Sequence, residues 1–442
     1  SLSSAPPSPS LSRSTTPSPP STTSPSPAPS SSPDAEQPPS PAKVVVAKSV
    51  LYSQSCAAVQ VQYYPCTDWD IQALHSFAPI NLAYRFAVMP DLELLCRSLL
   101  LMRTKYPKCL GSVVSVNDVY YIKTPSNDTC IRALEVSDNA LGSRQEWQAV
   151  LDHFPLREGE LAGPRLFQAL VLHTARPADG AVLLVTIDHV TGDAASCELL
   201  MQAWSASYKA HSGAAHYVLP EAPLKANLVH RCAQPAHVLR RFYFRAPDFA
   251  PLKAYIADGA SGFTTNDVLM AVCLCALAPF RARDTASARL SLMANARGRG
   301  LPVDFMGNGA VPMDVYVPWD LLLSFDLASV VRAVRAGMTE ALKALPALCA
   351  APPQDPPPQE PILVWNSWAR VRGLVEADFG LGLRQWEWMN SFQLEDPACF
   401  LVVPEIAPGG LCLHASLPVH EMAYLVTVWD SMLNFQVPSG PA

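Results

Sequence analysis

The sequence predicts an α+β fold in which mixed sheets are flanked by helices. The apolar runs "PRLFQALVLHT" and "AVLLVTIDH" surround the turn-forming stretch "RPADG", which is typical of a β-hairpin. The stretch "PDLELLCRSLLLMRTKYP" has apolar residues at helical spacing and ends at a proline, which predicts a helix. The chain has 442 residues, more than one hydrophobic core usually holds, so two packed domains are expected.

A strand-to-helix connection follows the second strand of the hairpin. The stretch "SCELLMQAWSASYKAH" predicts a helix capped by Ser196. His189 and Asp193 therefore lie between a buried strand and a helix, where a rigid base can hold side chains exposed.

Further helices and strands alternate in the C-terminal half. The patterns predict helices at "FRAPDFAPLKAYIADG", "FTTNDVLMAVCLCALAPF", "SVVRAVRAGMTEALKAL" and "VHEMAYLVTVWDSML". Thr264 or Thr265 is expected at the N-cap of the second of these. Strands are predicted at "ARLSLMANARGRG", "GAVPMDVYVP" and "GGLCLHASLP".

Composition shifts divide the chain. Residues 1–43 are mostly Ser, Thr, Pro and Ala, which predicts a disordered tail because such a segment cannot bury apolar surface. Residues 44–212 are expected to form one domain, 213–235 a crossover linker and 236–442 a second domain. We expect a cytoplasmic protein, or a plastid protein if the Ser-rich tail is the remnant of a transit peptide.

Bulk composition excludes several classes of function. Apolar residues make up 49% of the chain, charged residues 16%, and the formal net charge is −6, which argues against a nucleic-acid partner. No apolar run reaches the roughly 18–20 residues that a membrane span needs. The cysteines form no CxxC pair and no Cys/His cluster with zinc spacing, so no metal is expected.

The histidine at the strand end is a candidate general base. A neutral imidazole is the usual proton acceptor near physiological pH, and Asp193 would orient it or hold the loop. A short HxxxD pattern also occurs by chance, so a polar surface loop stays open at this point. A G-x-S-x-G elbow, a P-loop and a GxGxxG turn are absent, which leaves fewer alternatives.

Two separated stretches resemble one enzyme family. "HVTGDA" at His189–Ala194 resembles the HxxxDG motif of the BAHD acyltransferases, and "DFGLG" at Asp378–Gly382 resembles their DFGWG motif. "NARGRGLPVDFMGNGAVP" is similar to their D-x-R-x-R stretch followed by a Gly-Asn pair, here Gly307 and Asn308. The resemblance extends from about Val44 to Leu433. Within the family, the sequence is similar to plant hydroxycinnamoyl transferases.

Three departures from the family pattern indicate a divergent member. Ala194 stands where the family has glycine after the HxxxD aspartate. Leu381 replaces the tryptophan of DFGWG, and Asn295 replaces the first aspartate of D-x-R-x-R.

The resemblance implies an architecture and a reaction. It implies two chloramphenicol-acetyltransferase-like domains with a tunnel between them, and a monomer that serves secondary metabolism. Acyl-CoA would be a co-substrate rather than a permanently bound cofactor, and a small-molecule alcohol or amine would be the acceptor. His189 would act as general base, without a covalent acyl-enzyme.

The resemblance also implies structural roles for the other motif residues. Asp193 would pair with Arg297 and support the site. The remote motif would be structural rather than metal-binding, through Asp378, Phe379, Gly380 and Gly382. The resemblance assigns no residue to the binding of coenzyme A.

Two alternatives remain open. The same fold could use a different donor or a lipid alcohol acceptor, or it could be a non-catalytic scaffold. Family members that acylate shikimate use an arginine before the Ser-Trp pair, and this sequence has none between Lys343 and Ala369. A shikimate or quinate acceptor is therefore disfavoured.

Overall fold

Two large mixed β-sheets and one small antiparallel sheet form the framework of the protein. The computed structural model describes residues 46–52, 61–124, 131–137, 141–156, 165–212, 229–231, 237–257, 262–350, 359–389 and 399–433. Between residues 42 and 442 these belong to one compact unit.

Sixteen strands lie in the described part of the chain: β1 (Val46–Tyr52), β2 (Gln62–Pro65), β3 (Ile80–Phe86), β4 (Ser112–Val116), β5 (Val119–Thr124), β6 (Ile131–Val136), β7 (Phe167–His173), β8 (Ala181–Ile187), β9 (Val229–Arg231), β10 (His237–Phe244), β11 (Ser287–Asn295), β12 (Ala310–Pro318), β13 (Leu363–Ser367), β14 (Leu383–Trp388), β15 (Cys399–Pro404) and β16 (Leu411–Pro418).

The same residues contain ten α-helices: α1 (Asp68–Ser76), α2 (Leu92–Lys105), α3 (Arg144–His153), α4 (Ala194–Ser212), α5 (Ala250–Ala257), α6 (Thr265–Arg281), α7 (Trp319–Leu323), α8 (Leu327–Ala350), α9 (Gly373–Glu376) and α10 (Val419–Leu433). None of these described helices is long and apolar enough to cross a membrane.

The first large sheet carries the strand that leads to His189. Its strand order is β1-β6-β7-β8-β3-β14, and β8 lies antiparallel to both β7 and β3. All seven residues of β8 are buried, and Ile187 at its end pairs with Ile80 on one side and Phe167 on the other. The sheet therefore holds the approach to the histidine from both sides.

One strand of the first sheet comes from late in the sequence. No strand is predicted from the sequence at β14, yet β14 pairs antiparallel with β3, with Trp388 opposite Leu82. The chain thus returns to the first sheet after building most of the second. The domain bounds 44–212 and 236–442 stay a prediction.

The second large sheet has the order β12-β11-β13-β15-β16-β10-β9. Helices α6, α8 and α10 pack around one hydrophobic cluster with its strands. Helix α6 begins as predicted: the Thr264 hydroxyl accepts the N–H of Asp267, and the Asp267 carboxylate accepts the N–H of Thr264. This reciprocal capping satisfies two backbone donors that the first turn leaves open.

The small sheet, with order β2-β5-β4, packs beside the loop that carries the histidine. A buried apolar cluster joins Val113 and Ile122 of this sheet to Leu166 and Val190 of the first-sheet loops. Val190 is the residue after His189, so the small sheet supports the back of the loop.

The α+β fold with helix-flanked mixed sheets is confirmed, with one local correction. Helix α4 begins at Ala194, and the cap is Asp193, whose Oδ1 accepts the N–H of Ser196 at 3.1 Å. The predicted cap, Ser196, was wrong, because its hydroxyl bonds elsewhere. The tail 1–43 and most of the linker 213–235 lie outside the described residues.

Candidate active site

His189 lies where β8 ends, and the residue is partly exposed. Its ring lies beside that of Phe77, with 5.4 Å between centroids and 50° between planes. Asn308 donates from Nδ2 to the carbonyl of His189 at 2.6 Å. The imidazole thus stands at the end of a buried strand while its main chain is fixed from the second half of the chain.

Asp188 forms the turn that presents the histidine. It is fully buried, and its Oδ1 accepts the N–H of Val190 at 3.0 Å. Its carbonyl accepts the Thr191 hydroxyl at 2.7 Å. Asp188 therefore shapes the loop through its own neighbours.

Asp193 and Arg297 form a buried bidentate ion pair. Arg297 donates from Nη1 to Oδ2 at 2.8 Å and from Nη2 to Oδ1 at 2.9 Å. Their side chains are only 5% (Arg297) and 8% (Asp193) exposed. Two parallel charge-assisted bonds fix orientation as well as distance, so the pair ties the loop before α4 to the loop after β11.

The remaining polar atoms of this pair are also bonded. The Asp193 carboxylate accepts the N–H of Gly309 at 2.9 Å. Arg297 donates to the carbonyls of Phe305 at 2.9 Å and Gly307 at 2.8 Å. A buried ion pair is costly to desolvate unless its other donors and acceptors are satisfied, and here they are.

Ser196 closes the network. Its hydroxyl donates to the Gly307 carbonyl at 2.9 Å and accepts from Arg297 Nη2 at 2.8 Å. It also accepts the N–H of Gly307 at 3.0 Å. The first turn of α4 is thereby joined directly to the residues that precede β12.

Cys197 lies next to this network but is chemically quiet. The residue is 1% exposed, and burial, followed by the nearby Asp193 carboxylate, raises the pKa of its thiol well above the usual range. Because the thiolate is the nucleophilic form, Cys197 is not placed to attack a substrate.

Gly192 provides the turn between the histidine and the aspartate. Its φ is +154°, and a Cβ there would clash with the Ser196 side chain. The loop therefore turns at Gly192, one residue before Asp193, although the family pattern has its glycine one residue after.

Gly192→Ala is expected to destabilise the protein by about 1–3 kcal/mol and to lower kcat, because the new Cβ displaces Ser196. The matched control is Gly262→Ala, where φ is +120° and no atom lies within 4 Å of the added Cβ. Urea unfolding of both variants measures the difference. Equal losses at the two positions would show that the clash with Ser196 does not matter.

Phe379 anchors the DFGLG segment in the hydrophobic cluster between the first large sheet and α4. Its residue is fully buried, and its ring contacts those of Phe86, Trp204 and Tyr208 at 5.1–5.9 Å between centroids. Its N–H donates to Ser205 Oγ at 3.0 Å. The segment therefore packs against α4, the helix that follows the histidine loop.

Asp378 and the two glycines shape the same turn. Lys209 of α4 donates to Asp378 Oδ1 at 3.0 Å, and so does the N–H of Gly380 at 3.1 Å. Gly380 and Gly382 have φ of +70° and +68°, in the left-handed region that favours glycine. The lysine contact joins this turn to α4, and the Gly380 contact shapes the turn itself.

Asp378→Asn is expected to cost about 1 kcal/mol or less, because the Asp378–Lys209 pair is partly exposed. Turnover should be unchanged, with or without a chelator in the assay. Thermal unfolding and steady-state kinetics measure the two effects. A large loss of turnover with normal folding would mean that Asp378 acts in the chemistry.

Phe77 is a site residue that was not singled out from the sequence. It is 42% exposed and follows α1, more than a hundred positions before the histidine that it contacts. Asn295, noted in the sequence only as a departure from the family pattern, accepts from Arg297 N and Nη1 at 3.0 and 3.2 Å and so supports the arginine. Only a three-dimensional arrangement reveals such partners.

Comparisons with known proteins identify similar folds. No family model matches the sequence, and a search of curated proteins finds no similar one. The crystal structure of vinorine synthase matches 88% of this chain and 98% of its own, with 18% identity and a TM-score of 0.60. That of F. graminearum TRI101 complexed with ethyl coenzyme A matches 83% and 97%, with 13% identity and a TM-score of 0.61.

A third similar structure is a domain from a module of a synthetase. The epimerization domain from the third module of tyrocidine synthetase B matches 86% of this chain and 97% of its own, with 13% identity and a TM-score of 0.57. At these identities the likeness establishes the fold. The fold is the one seen in vinorine synthase and TRI101, which confirms the fold that the sequence predicts.

Proposed function

We propose that this protein transfers an acyl group from acyl-CoA to a hydroxyl or amine of a small molecule, with His189 as general base. The observation that carries the proposal is the contrast at the histidine. Its strand, its turn and the Asp193–Arg297 pair are buried and bonded, while His189 itself is a partly exposed residue. A scaffold needs no such support for one partly exposed histidine.

The shared fold supports coenzyme A as the donor carrier. Three TRI101 structures contain coenzyme A together with a second small molecule, deoxynivalenol or T-2. We infer that this chain uses the same pair of substrate classes, a coenzyme A thioester and a small-molecule acceptor. Acyl-CoA is consumed in the reaction and is therefore a co-substrate.

The chemistry follows from a positioned base. The imidazole takes the proton of the acceptor O–H or N–H while that oxygen or nitrogen attacks the thioester carbonyl. The tetrahedral oxyanion collapses, the C–S bond breaks, and the imidazolium returns its proton to the leaving thiolate of coenzyme A. A base in this position contributes about 10²–10⁴-fold to the rate, and holding both substrates together contributes further.

Direct transfer is favoured over a covalent acyl-enzyme. The serine and the cysteine nearest to His189 in sequence are Ser196 and Cys197. The Ser196 hydroxyl is bonded to Gly307 and Arg297, and the Cys197 thiol is buried with a raised pKa. These contacts and this burial disfavour both side chains as nucleophiles.

The likeness to the tyrocidine synthetase domain favours a second candidate. A donor held on a carrier protein would use the same histidine chemistry with a different acyl carrier. The alternatives of a lipid alcohol acceptor and a non-catalytic scaffold also stay open to test. The monomeric state and a role in secondary metabolism remain predictions from the resemblance, and the cytoplasmic or plastid location remains a prediction from the composition of the chain.

The test is mass-spectrometric detection of acyl transfer. Purified protein is incubated with a panel of acyl-CoA donors and pooled small-molecule extract, and in parallel with carrier-bound acyl groups. New acylated products with coenzyme A donors support the proposal and identify both substrates. Products with carrier-bound donors alone favour the second candidate, and no product with either donor while coenzyme A binds favours a scaffold.

A further inference from the structure

A cavity lies on the first large sheet, away from the histidine. Its volume is about 280 Å³, and it opens where the end of β3, the turn between β7 and β8, and the start of β14 meet. Its lining consists of Arg85, Leu141, Arg176, Ala178, Asp179 and Arg384.

Sheet register places this cavity at the opposite end from the histidine. Phe86, next to Arg85, pairs with Ala181 at the start of β8, whereas Ile80 pairs with Ile187 near His189. Seven residues of strand at about 3.3 Å each separate the two ends by roughly 20 Å. The cavity is therefore distinct from the proposed active site.

The lining carries an excess of positive charge. Three guanidinium groups and one carboxylate leave two net positive charges (3 − 1 = 2) among the described lining residues. Asp179 accepts from Arg176 Nε at 3.2 Å and from the Thr174 hydroxyl at 2.8 Å, so the one carboxylate is already engaged. Among the described lining residues, no second carboxylate faces Arg85 and Arg384.

Arg85 shows the strain of this arrangement. Its Nε is buried and has no hydrogen-bond partner among the described residues. Burial, and then the positive charge of Arg384, lower the pKa of Arg85. A guanidinium stays protonated in proteins, so two like charges face one space with a buried donor unmet. An anion in that space would offset the repulsion between the two guanidinium groups and accept hydrogen bonds from their accessible N–H donors.

We propose that this cavity binds the phosphate or pyrophosphate group of a small molecule, at a site separate from the coenzyme A site. Guanidinium forks match the oxygens of phosphate in pairs and with added charge. Small-molecule sites usually measure about 300–1,000 Å³, so this smaller cavity fits a phosphate or pyrophosphate group rather than a whole nucleotide.

The test is calorimetric titration of the full chain with inorganic pyrophosphate at constant ionic strength. We expect binding, with Kd raised about tenfold or more in Arg85→Gln and in Arg384→Gln, because each removes a charge-assisted donor. Arg283→Gln is the control, since Arg283 is an exposed arginine that pairs with Glu360 outside the cavity. It should bind as the unmodified protein does.

Two outcomes would overturn the proposal. One is heat no greater than that from sodium chloride of equal ionic strength. The other is binding that both cavity variants leave unchanged. If Arg85→Gln does not fold, Arg384→Gln decides alone, because the Arg384 side chain is exposed.

A competition arm separates the two sources of phosphate. With coenzyme A at saturation, pyrophosphate is expected to bind as before, which assigns the cavity to a separate phosphate ligand. Displacement of pyrophosphate by coenzyme A, lost in Arg384→Gln, would instead place the phosphates of coenzyme A here and overturn the separation of the two sites.

Discussion

Turnover is expected to fall by about 10²–10⁴-fold when His189 is replaced by alanine, because no general base then takes the proton of the substrate hydroxyl or amine. Folding and coenzyme A binding should persist. The main chain holds the loop at this position, since Asn308 donates to the carbonyl of His189. Alanine keeps that carbonyl.

Single-turnover mass spectrometry of the acylated product measures the loss, and calorimetry measures coenzyme A binding. His75→Ala is the matched control, because His75 is an exposed histidine on α1 whose ring contacts Tyr120. It should retain turnover. If His189→Ala also turns over at the original rate, another group takes the proton and the base assignment fails.

Local patterns were sufficient for the elements around the histidine. An apolar hairpin, a small turn and an amphipathic run specify strand, loop and helix through neighbours in sequence, and β8 and α4 follow them. The cap was assigned one turn too late. Asp193 and Ser196 are both good capping residues. Only the folded structure shows that Asp193 accepts the N–H of Ser196, while the Ser196 hydroxyl bonds to Gly307 instead.

Distant pairings could not be derived from local pattern. β14 joins the first sheet, although most of its sequence neighbours build the second, because backbone pairing with β3 depends on the folded edge rather than on local composition. Phe77 reaches the histidine for the same reason. The pairing of Asp193 with Arg297 was implied only by resemblance, since the two lie 104 positions apart.

The departures from the family pattern have physical explanations in the fold. Ala194 is the first residue of α4 and is buried, and the loop makes its turn at Gly192 instead. Leu381 is 6% exposed and lies in the same core as Phe379, so a smaller apolar side chain occupies that core position.

Asp193→Ala and Arg297→Ala are each expected to destabilise the protein by about 3–5 kcal/mol, because each leaves a buried charge without its partner. Turnover should fall as well, since the pair positions the loop that carries His189. Arg297→Lys should recover only part of both losses. Lysine keeps the charge but cannot make two parallel bonds to Asp193.

The double variant separates pairing from two independent effects. If the side chains interact, its loss of stability should be smaller than the sum of the single losses by about 0.5–3 kcal/mol. Urea unfolding of all four proteins gives this coupling free energy. Additive losses would show that the contact of Asp193 with Arg297 contributes nothing as a pair.

A second ion pair provides the control for activity. Arg281 holds Glu421 with two bonds, Nε at 3.1 Å and Nη2 at 2.6 Å, within the second half of the chain. Arg281→Ala should lose stability by the same mechanism but keep kcat at temperatures where it is folded. If Arg297→Ala behaves in the same way, with kcat retained, the Asp193–Arg297 pair stabilises the fold without positioning the base.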